Sequence, residues 1–159
     1  MIRRVEQSDW RLLRDVRLRA LADAPDAFLD KLDEVRSRPD DHWRERVAAG
    51  DTQATFADER DGRFDGMVAT FVANDPENAF LVAMWVAPEL RGSGAAAQLV
   101  ESVLVWARAR GARRVLLTVE PRNLRAAGLY EKCGFVEIDD PPPFPYTPDP
   151  GQRYYVHEL

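Results

Sequence analysis

The sequence predicts an α/β protein built on one mixed sheet, antiparallel at its start and parallel in its middle. Three observations carry that expectation. From Thr52 to Pro88 apolar residues alternate with period two, and the pattern breaks at Asp61-Gly62 and at "NDPEN" (74–78), as in consecutive antiparallel hairpins. The last of these strands runs through a glycine-rich loop into an apolar-striped helix and then into a further strand, which makes a parallel crossover. With 159 residues, 45% of them hydrophobic and 31% charged, the chain is long enough for one packed domain over 1–159.

Taken in order, "QSDWRLLRDVRLRALADAP" places Ser8 as N-cap and Leu12, Leu13, Val16 and Leu21 on one helical face, up to Pro25. "DAFLDKLDEVRSRP" has weak periodicity and reads as an ordered loop with a turn of helix. A second helix starts near Asp40, with Trp43 and Val47 one turn apart and Gly50 as its stop. Strands follow near 53–59, 64–73 and 79–86. In "GAAAQLVESVLVWARARG" the residues Leu99, Val103 and Ala107, with Val100 and Leu104, form an apolar stripe that ends at Gly111. "RRVLLTVE" is the crossover strand, "NLRAAGLYEKCG" a helix capped by Asn123, "FVEI" a short strand, and "RYYVHEL" a closing strand. The proline-rich "DDPPPFPYTPDPGQ" is a stiff surface connection rather than a linker. No internal repeat is evident.

Composition excludes several classes of function. The net charge of −5 argues against a nucleic-acid partner, which calls for a basic surface. Arg108, Arg110, Arg113 and Arg114 cluster around a helix end, where cations complement the helix dipole. No apolar run reaches the roughly 20 residues of a membrane span, and "MIRRVEQSDW" lacks the apolar stretch of a secretory signal, so the expected location is cytoplasmic, without a membrane partner. Cys133 is the only cysteine, which rules out an internal disulfide.

The loop "VAPELRGSGAAAQLV" admits two phosphate-binding readings. Read from Gly92 it gives Gly92-x-Gly94-x-x-Ala97, a variant of the dinucleotide fingerprint. That fingerprint needs its first glycine directly after the strand, and here the residues from Ala87 to Arg91 intervene. Read from Arg91 it gives Arg91-x-x-Gly94-x-Ala96, a concave row of backbone N–H groups at a helix N-terminus, suited to a pyrophosphate. Small side chains at Gly92, Ser93, Gly94, Ala95 and Ala96 let the backbone approach the ligand.

Downstream, Asn123, Ala126, Tyr130, Cys133, Gly134 and Phe135 spell "N-x-x-A-x-x-L-Y-x-x-C-G-F". With that pattern the chain resembles the GNAT superfamily of acyl-CoA-dependent N-acyltransferases. "VAPELRGSGAA" is similar to the family's cofactor loop and "NLRAAGLYEKCGF" to its second cofactor motif, and the likeness covers most of the chain. Ala96 stands where the family often has glycine, within its pattern. The N-terminal "RLRALADAPDAF" also resembles the acceptor-side helices of some members.

The resemblance implies a GNAT-like mixed sheet of six to seven strands and about four helices, with the central parallel pair splayed to admit CoA. It implies acetyl-CoA as co-substrate and no metal. Trp85 and Val86 would supply the backbone contact to pantetheine, Arg91, Gly92, Ser93, Gly94, Ala95 and Ala96 the pyrophosphate loop, Asn123 a contact to the cofactor arm, and Tyr130 the proton for the departing thiolate. A buried core Tyr and a plain capping Asn are the competing readings of Tyr130 and Asn123.

The general base is left open among Glu77, Glu34 and His157. The acceptor is expected to be an amine, a small molecule rather than a folded protein. The acidic run Asp23, Asp26, Asp30, Asp33 and Glu34, with Asp139, Asp140 and Asp149 beside Phe144 and Tyr146, would attract a cationic amine or form a solvated face. A homodimer is left open. The alternatives are a non-catalytic CoA-binding module of the same fold and, more remotely, a dinucleotide-dependent oxidoreductase.

Overall fold

The computed structural model describes residues 1–48 and 50–159. Strand β1 (Ile2–Arg4) and a single 3-10 turn (Gln7–Asp9) precede helix α1 (Trp10–Asp23), the short α2 (Leu32–Arg36) and α3 (Asp40–Ala48). Strands β2 (Gln53–Arg60), β3 (Arg63–Val72) and β4 (Asn78–Val86) lead to α4 (Ala95–Ala109), β5 (Arg114–Val119), α5 (Leu124–Lys132), β6 (Val136–Ile138) and β7 (Arg153–Glu158). The expected run of α3 to Gly50 passes Ala49, which lies outside the described residues.

The strands form one seven-stranded sheet in the order β1-β2-β3-β4-β5-β7-β6. Only β4 and β5 run parallel, and α4 is the crossover between them. The mixed sheet of the sequence reading is therefore present, and β1 adds a strand that three residues of pattern could not signal. It pairs antiparallel with β2, with Ile2 opposite Asp58. Ser8 does not cap α1. It sits inside the 3-10 turn, and Asp9 instead accepts the Glu6 N–H at 2.8 Å, because the chain must first turn from β1 into the helix.

Each face of the sheet carries its own apolar layer. Leu99, Val100 and Val103 of α4 are fully buried with Val68, Val115, Leu117 and Tyr155 on one face. Removing such a side chain from water contributes about 1.5–3 kcal/mol. The other face receives α1 and α3, through Leu13, Val16, Leu21 and Trp43 against Phe64, Met67 and Trp85. Both layers stop at the C-terminal end of β4, where the sheet opens.

That opening has two causes in the backbone. Parallel pairing between β4 and β5 is confined to Asn78–Phe80 against Arg114–Leu116, while β5 pairs with β7 along its whole length. The second half of β4 is thus released from β5. In the same stretch the β3–β4 register slips between Met67 and Ala69, and Ala83 adopts φ +56°. This is a β-bulge with a non-glycine residue in the left-handed region, a conformation that costs on the order of 1–3 kcal/mol and bends the strand.

Candidate functional site

A cavity of about 1000 Å³ fills the gap between the splayed strands. Its walls are Leu81 to Val86 of β4, Thr118, Val119 and Glu120 at the end of β5, and Asn123 to Tyr130 along α5. The loop before α4 also lines it, as do Phe28, Leu29 and Tyr146.

The loop before α4 is built by two glycines with positive φ, Gly92 at +82° and Gly94 at +89°. Gly94 is the N-cap of α4, so the helix axis points at the cavity floor of this loop. Among the described residues the N–H groups of Gly92, Gly94, Ala96 and Ala97 have no protein acceptor, and all four residues line the cavity. The neighbours between them are turned inward: Ser93 N–H donates to the Leu90 carbonyl at 3.1 Å, and Ala95 N–H to Ser93 Oγ at 3.4 Å. Ala95 is buried, and the Ser93 hydroxyl donates to the Leu90 carbonyl. The expected contribution of Ser93 and Ala95 as donors is thereby corrected. Backbone that curls around an anion alternates its N–H directions, and Ala97, which the sequence reading left out of the loop, takes the last free position.

Asp23, at the C-terminal end of α1, holds this loop. Its Oδ2 accepts the Trp85 indole N–H at 2.9 Å and an Arg91 Nη2–H, while Arg91 Nε donates to the Val86 carbonyl at 3.3 Å. These bonds hold the Asp23 carboxyl below its ordinary range, the Trp85 bond first and then Arg91. Arg91 lines the cavity, yet its guanidinium is committed to protein partners, so it braces the loop.

On β4 the register also corrects the expected backbone role of Trp85. Ala87 N–H donates to the Asp65 carbonyl at 2.8 Å, and Met67 faces Trp85 in the ladder. Since N–H and C=O directions alternate along a strand, the Trp85 groups point to β3 and those of Met84 and Val86 point into the gap. Val86 and Met84, rather than Trp85, are therefore the residues of β4 whose backbone faces the gap.

Tyr130 packs edge-on against Phe135 at a centroid distance of 5.6 Å and reaches the cavity from α5. Burial, and next the proximity of Cys133, push its phenol well above the ordinary value, so it stays protonated. The half-buried Cys133 thiol is also raised by burial. Asn123 caps α5, its Oδ1 accepting the Ala126 N–H at 3.1 Å, and it still lines the cavity.

None of the three candidate bases lines the cavity. Glu77 lies at the opposite end of β4, 3.3 Å from Arg113, and His157 packs edge-on against Phe135. The carboxylates that do line it are Asp26, Asp30, Glu120 and Asp149. The proline-rich loop folds back on the sheet: Phe144 packs on Phe80 at 5.0 Å and Tyr146 lies 6.5 Å from Phe71. Of the two aromatics, Tyr146 faces the cavity and Phe144 anchors the loop. Glu34 and Asp33 lie on α2, away from the cavity.

The dinucleotide reading of Gly92-x-Gly94-x-x-Ala97 loses its structural context. A 3-10 turn, Pro88–Leu90, separates β4 from Gly92, and the sheet is mixed rather than doubly wound.

Residues 15–135 match the model of the acetyltransferase (GNAT) family. A mycothiol acetyltransferase of Thermomonospora curvata is 34% identical over 131 residues, which cover 79% of this chain and 42% of that protein. The chain spans between 22% and 53% of the length of the first curated relatives it matches. Among solved structures, an acetyltransferase of the GNAT family from Streptococcus pneumoniae superposes with a TM-score of 0.81 at 22% identity, over 100% of this chain and 99% of that one. PaiA N-acetyltransferase from Thermoplasma acidophilum, in complex with coenzyme A, gives 0.71 at 14% identity, over 100% and 98%. These two structures share the fold.

Proposed function

Since this chain belongs to the GNAT acetyltransferase family, we propose that it is an N-acetyltransferase, passing an acetyl group from acetyl-CoA directly to an amine in one cleft. The observation that carries the reading is the set of free N–H groups at Gly92, Gly94, Ala96 and Ala97 beside the splayed edge of β4. Four convergent donors at a helix N-terminus suit a pyrophosphate, and an extended amide-bearing arm suits a strand edge whose neighbour has turned away. Bound there, acetyl-CoA supplies an activated carbonyl and a good leaving group.

The chain's own residues then have distinct tasks. Met84 offers its backbone groups and Val86 its N–H to the arm in the gap, the Val86 carbonyl being held by Arg91, and oriented donors of this kind stabilise developing negative charge. Asn123 keeps its amide Nδ2 for the cofactor while Oδ1 caps α5. Tyr130 holds a proton beside the gap and releases it as the sulfur departs; its raised pKa keeps that proton in place until charge develops on the sulfur. The acceptor is a small amine, a reading supported by Phe28, Leu29 and Tyr146, which line the same cavity and offer it apolar surface. The single two-faced sheet accords with residues 1–159 acting as one domain.

The test is release of CoA thiol over a panel of small amines, lysine peptides and peptide N-termini, with thermal shifts for acetyl-CoA, CoA and NADH. Turnover with small amines and stabilisation by both CoA forms are expected. Stabilisation without turnover on any amine would assign the chain to the non-catalytic CoA-binding class.

A further inference from the structure

The acceptor end of the cleft does not have the electrostatics that its acidic sequence predicts. Asp23 is committed to Trp85 and Arg91. Of the two carboxylates that line the cavity from the segment after α1, Asp26 and Asp30, the second is bonded by Arg17 Nη2 at 3.0 Å and Arg38 Nη2 at 3.4 Å. Arg46 of α3 also lines the cavity, and among the described residues its guanidinium has no carboxylate partner. Three guanidinium groups, those of Arg17, Arg38 and Arg46, therefore share Asp30 as their neighbouring carboxylate.

Arg17 is the most telling of them. It is 5% exposed, lies with its guanidinium 4.6 Å from the Phe28 ring centroid, and lines the cavity. Its Nε and Nη1 have no hydrogen-bond partner. A buried guanidinium with two idle donors is costly, since desolvation is offset only when every donor is satisfied. Burial first, and then the like charge of Arg17, bring Arg46 down to about 10, with Asp30 acting in the opposite sense. His42, on the same helix, is held below its usual value by burial first and then by Arg38 and Arg46, which favours the neutral ring, so it adds no further positive charge.

The structure assigns to Arg17 and Arg46 the binding of a carboxylate carried by the acceptor, so that the acceptor is an amino acid or a similar acidic amine. This deepens the proposed acetyl transfer and rests on it. A planar two-oxygen anion matches one edge of a guanidinium and would take one idle donor of Arg17 together with the second hydrogen of Nη2, while neutralising Arg46. Phe28, Leu29, Met84 and Tyr146 line the same cavity and favour an apolar body on that acceptor. Fixing the carboxylate at one end leaves the amine to point along the cleft toward the β4–β5 gap.

Binding and turnover separate the two ideas. The affinity of the CoA-loaded protein for N-acetyl-L-leucine and N-acetyl-L-phenylalanine is measured by calorimetry against the corresponding carboxamides, in the wild type, Arg46→Gln and Arg17→Gln. The carboxylates should bind at least about 10-fold more tightly than the amides, the minimum for a charge-assisted bidentate pair, and the difference should collapse in Arg46→Gln with CoA affinity retained. Equal binding of acid and amide, binding of neither, or a preference that survives Arg46→Gln would overturn the proposal. Arg46 is the more exposed of the pair, so it keeps the test valid if Arg17→Gln does not fold. Carboxylate binding with no acetylation of free leucine, phenylalanine or any other amine would instead count against the transfer reaction.

Discussion

The indole of Trp85 donates a 2.9 Å hydrogen bond to the carboxylate of Asp23, across the join between β4 and the end of α1. Because the same oxygen accepts from Arg91, the bond ties three parts of the cleft to one atom. The acceptor-side helix, the gap-forming strand and the loop before α4 are thus positioned together. This arrangement makes Asp23 a structural determinant of the loop, where the acidic sequence around it had implied an electrostatic lure for cations.

Asp23→Asn should therefore weaken acetyl-CoA binding without touching the ligand. The neutral amide keeps a hydrogen bond to Trp85 and loses the charge opposite Arg91, so an affinity loss of about 5–20-fold is expected, in line with one charge-assisted bond. The pH dependence carries a sign. The folded Asp23 carboxyl lies below its unfolded value of about 3.9, so its stabilisation is complete above that pH and is lost as pH falls through the lower, folded value. Acid titration of the melting temperature should show a shallower decline for Asp23→Asn. Superimposable acid limbs would mean that the carboxylate contributes nothing to folding.

Gly94→Val tests the loop itself. At φ +89° a β-branched residue costs on the order of 1–3 kcal/mol, and a Cβ built at Gly94 meets no protein atom within 4 Å. The side chain would project into open space beside the free N–H groups. Calorimetry should show acetyl-CoA binding weakened by at least about 10-fold, beyond what the lowered melting temperature explains. Undiminished affinity in the folded variant would move the pyrophosphate elsewhere.

Much of this loop is legible in the sequence because it depends on residue types at fixed spacing. Gly92, Gly94 and the small residues after them announce a helix start with accessible N–H groups. Which of those groups are free is not legible, since it depends on Ser93 and Ala95 turning back to Leu90 and to the Ser93 hydroxyl. The hairpins of β2 to β4 were equally readable from their alternation and from Asp61-Gly62. The acceptor end was not. Arg17 and Arg46 lie on separate helices among many other charged residues, and only packing reveals that one is buried with idle donors. Among their carboxylate neighbours, Asp23 and Asp30 gave the segment an acidic look that their pairing with arginines offsets.

Tyr130→Phe removes one hydroxyl and leaves the edge-on contact with Phe135 in place. Loss of the proton donor should lower kcat by about 10²–10⁴ with little change in acetyl-CoA affinity. Since burial raises the phenol above its ordinary value, the wild-type rate should show no fall from Tyr130 ionisation up to about pH 10. Pre-steady-state measurement of the chemical step decides the matter, and a Phe variant with an unchanged chemical rate would leave Tyr130 as packing alone.

The bulge at Ala83 ties strain to the shape of the cleft. The left-handed turn at φ +56° accompanies the slip in the β3–β4 register, and both fall where β4 has already parted from β5. Glycine takes that conformation without a Cβ penalty, though it gives the unfolded chain more freedom, and the two effects are each about 1 kcal/mol and opposed. Ala83→Gly should therefore stay within about 1 kcal/mol of wild-type stability and retain acetyl-CoA binding. Valine cannot adopt the left-handed region cheaply, so Ala83→Val must either bear the strain or straighten the strand. Straightening would shift the register of Met84 and Val86 by one residue and turn their backbone groups away from the gap. The expected result is a lower melting temperature together with an acetyl-CoA affinity reduced by about 10-fold or more, each relative to Ala83→Gly. A valine variant that is destabilised yet binds acetyl-CoA as tightly as the glycine variant would show that the bulge is borne by the fold without shaping the site.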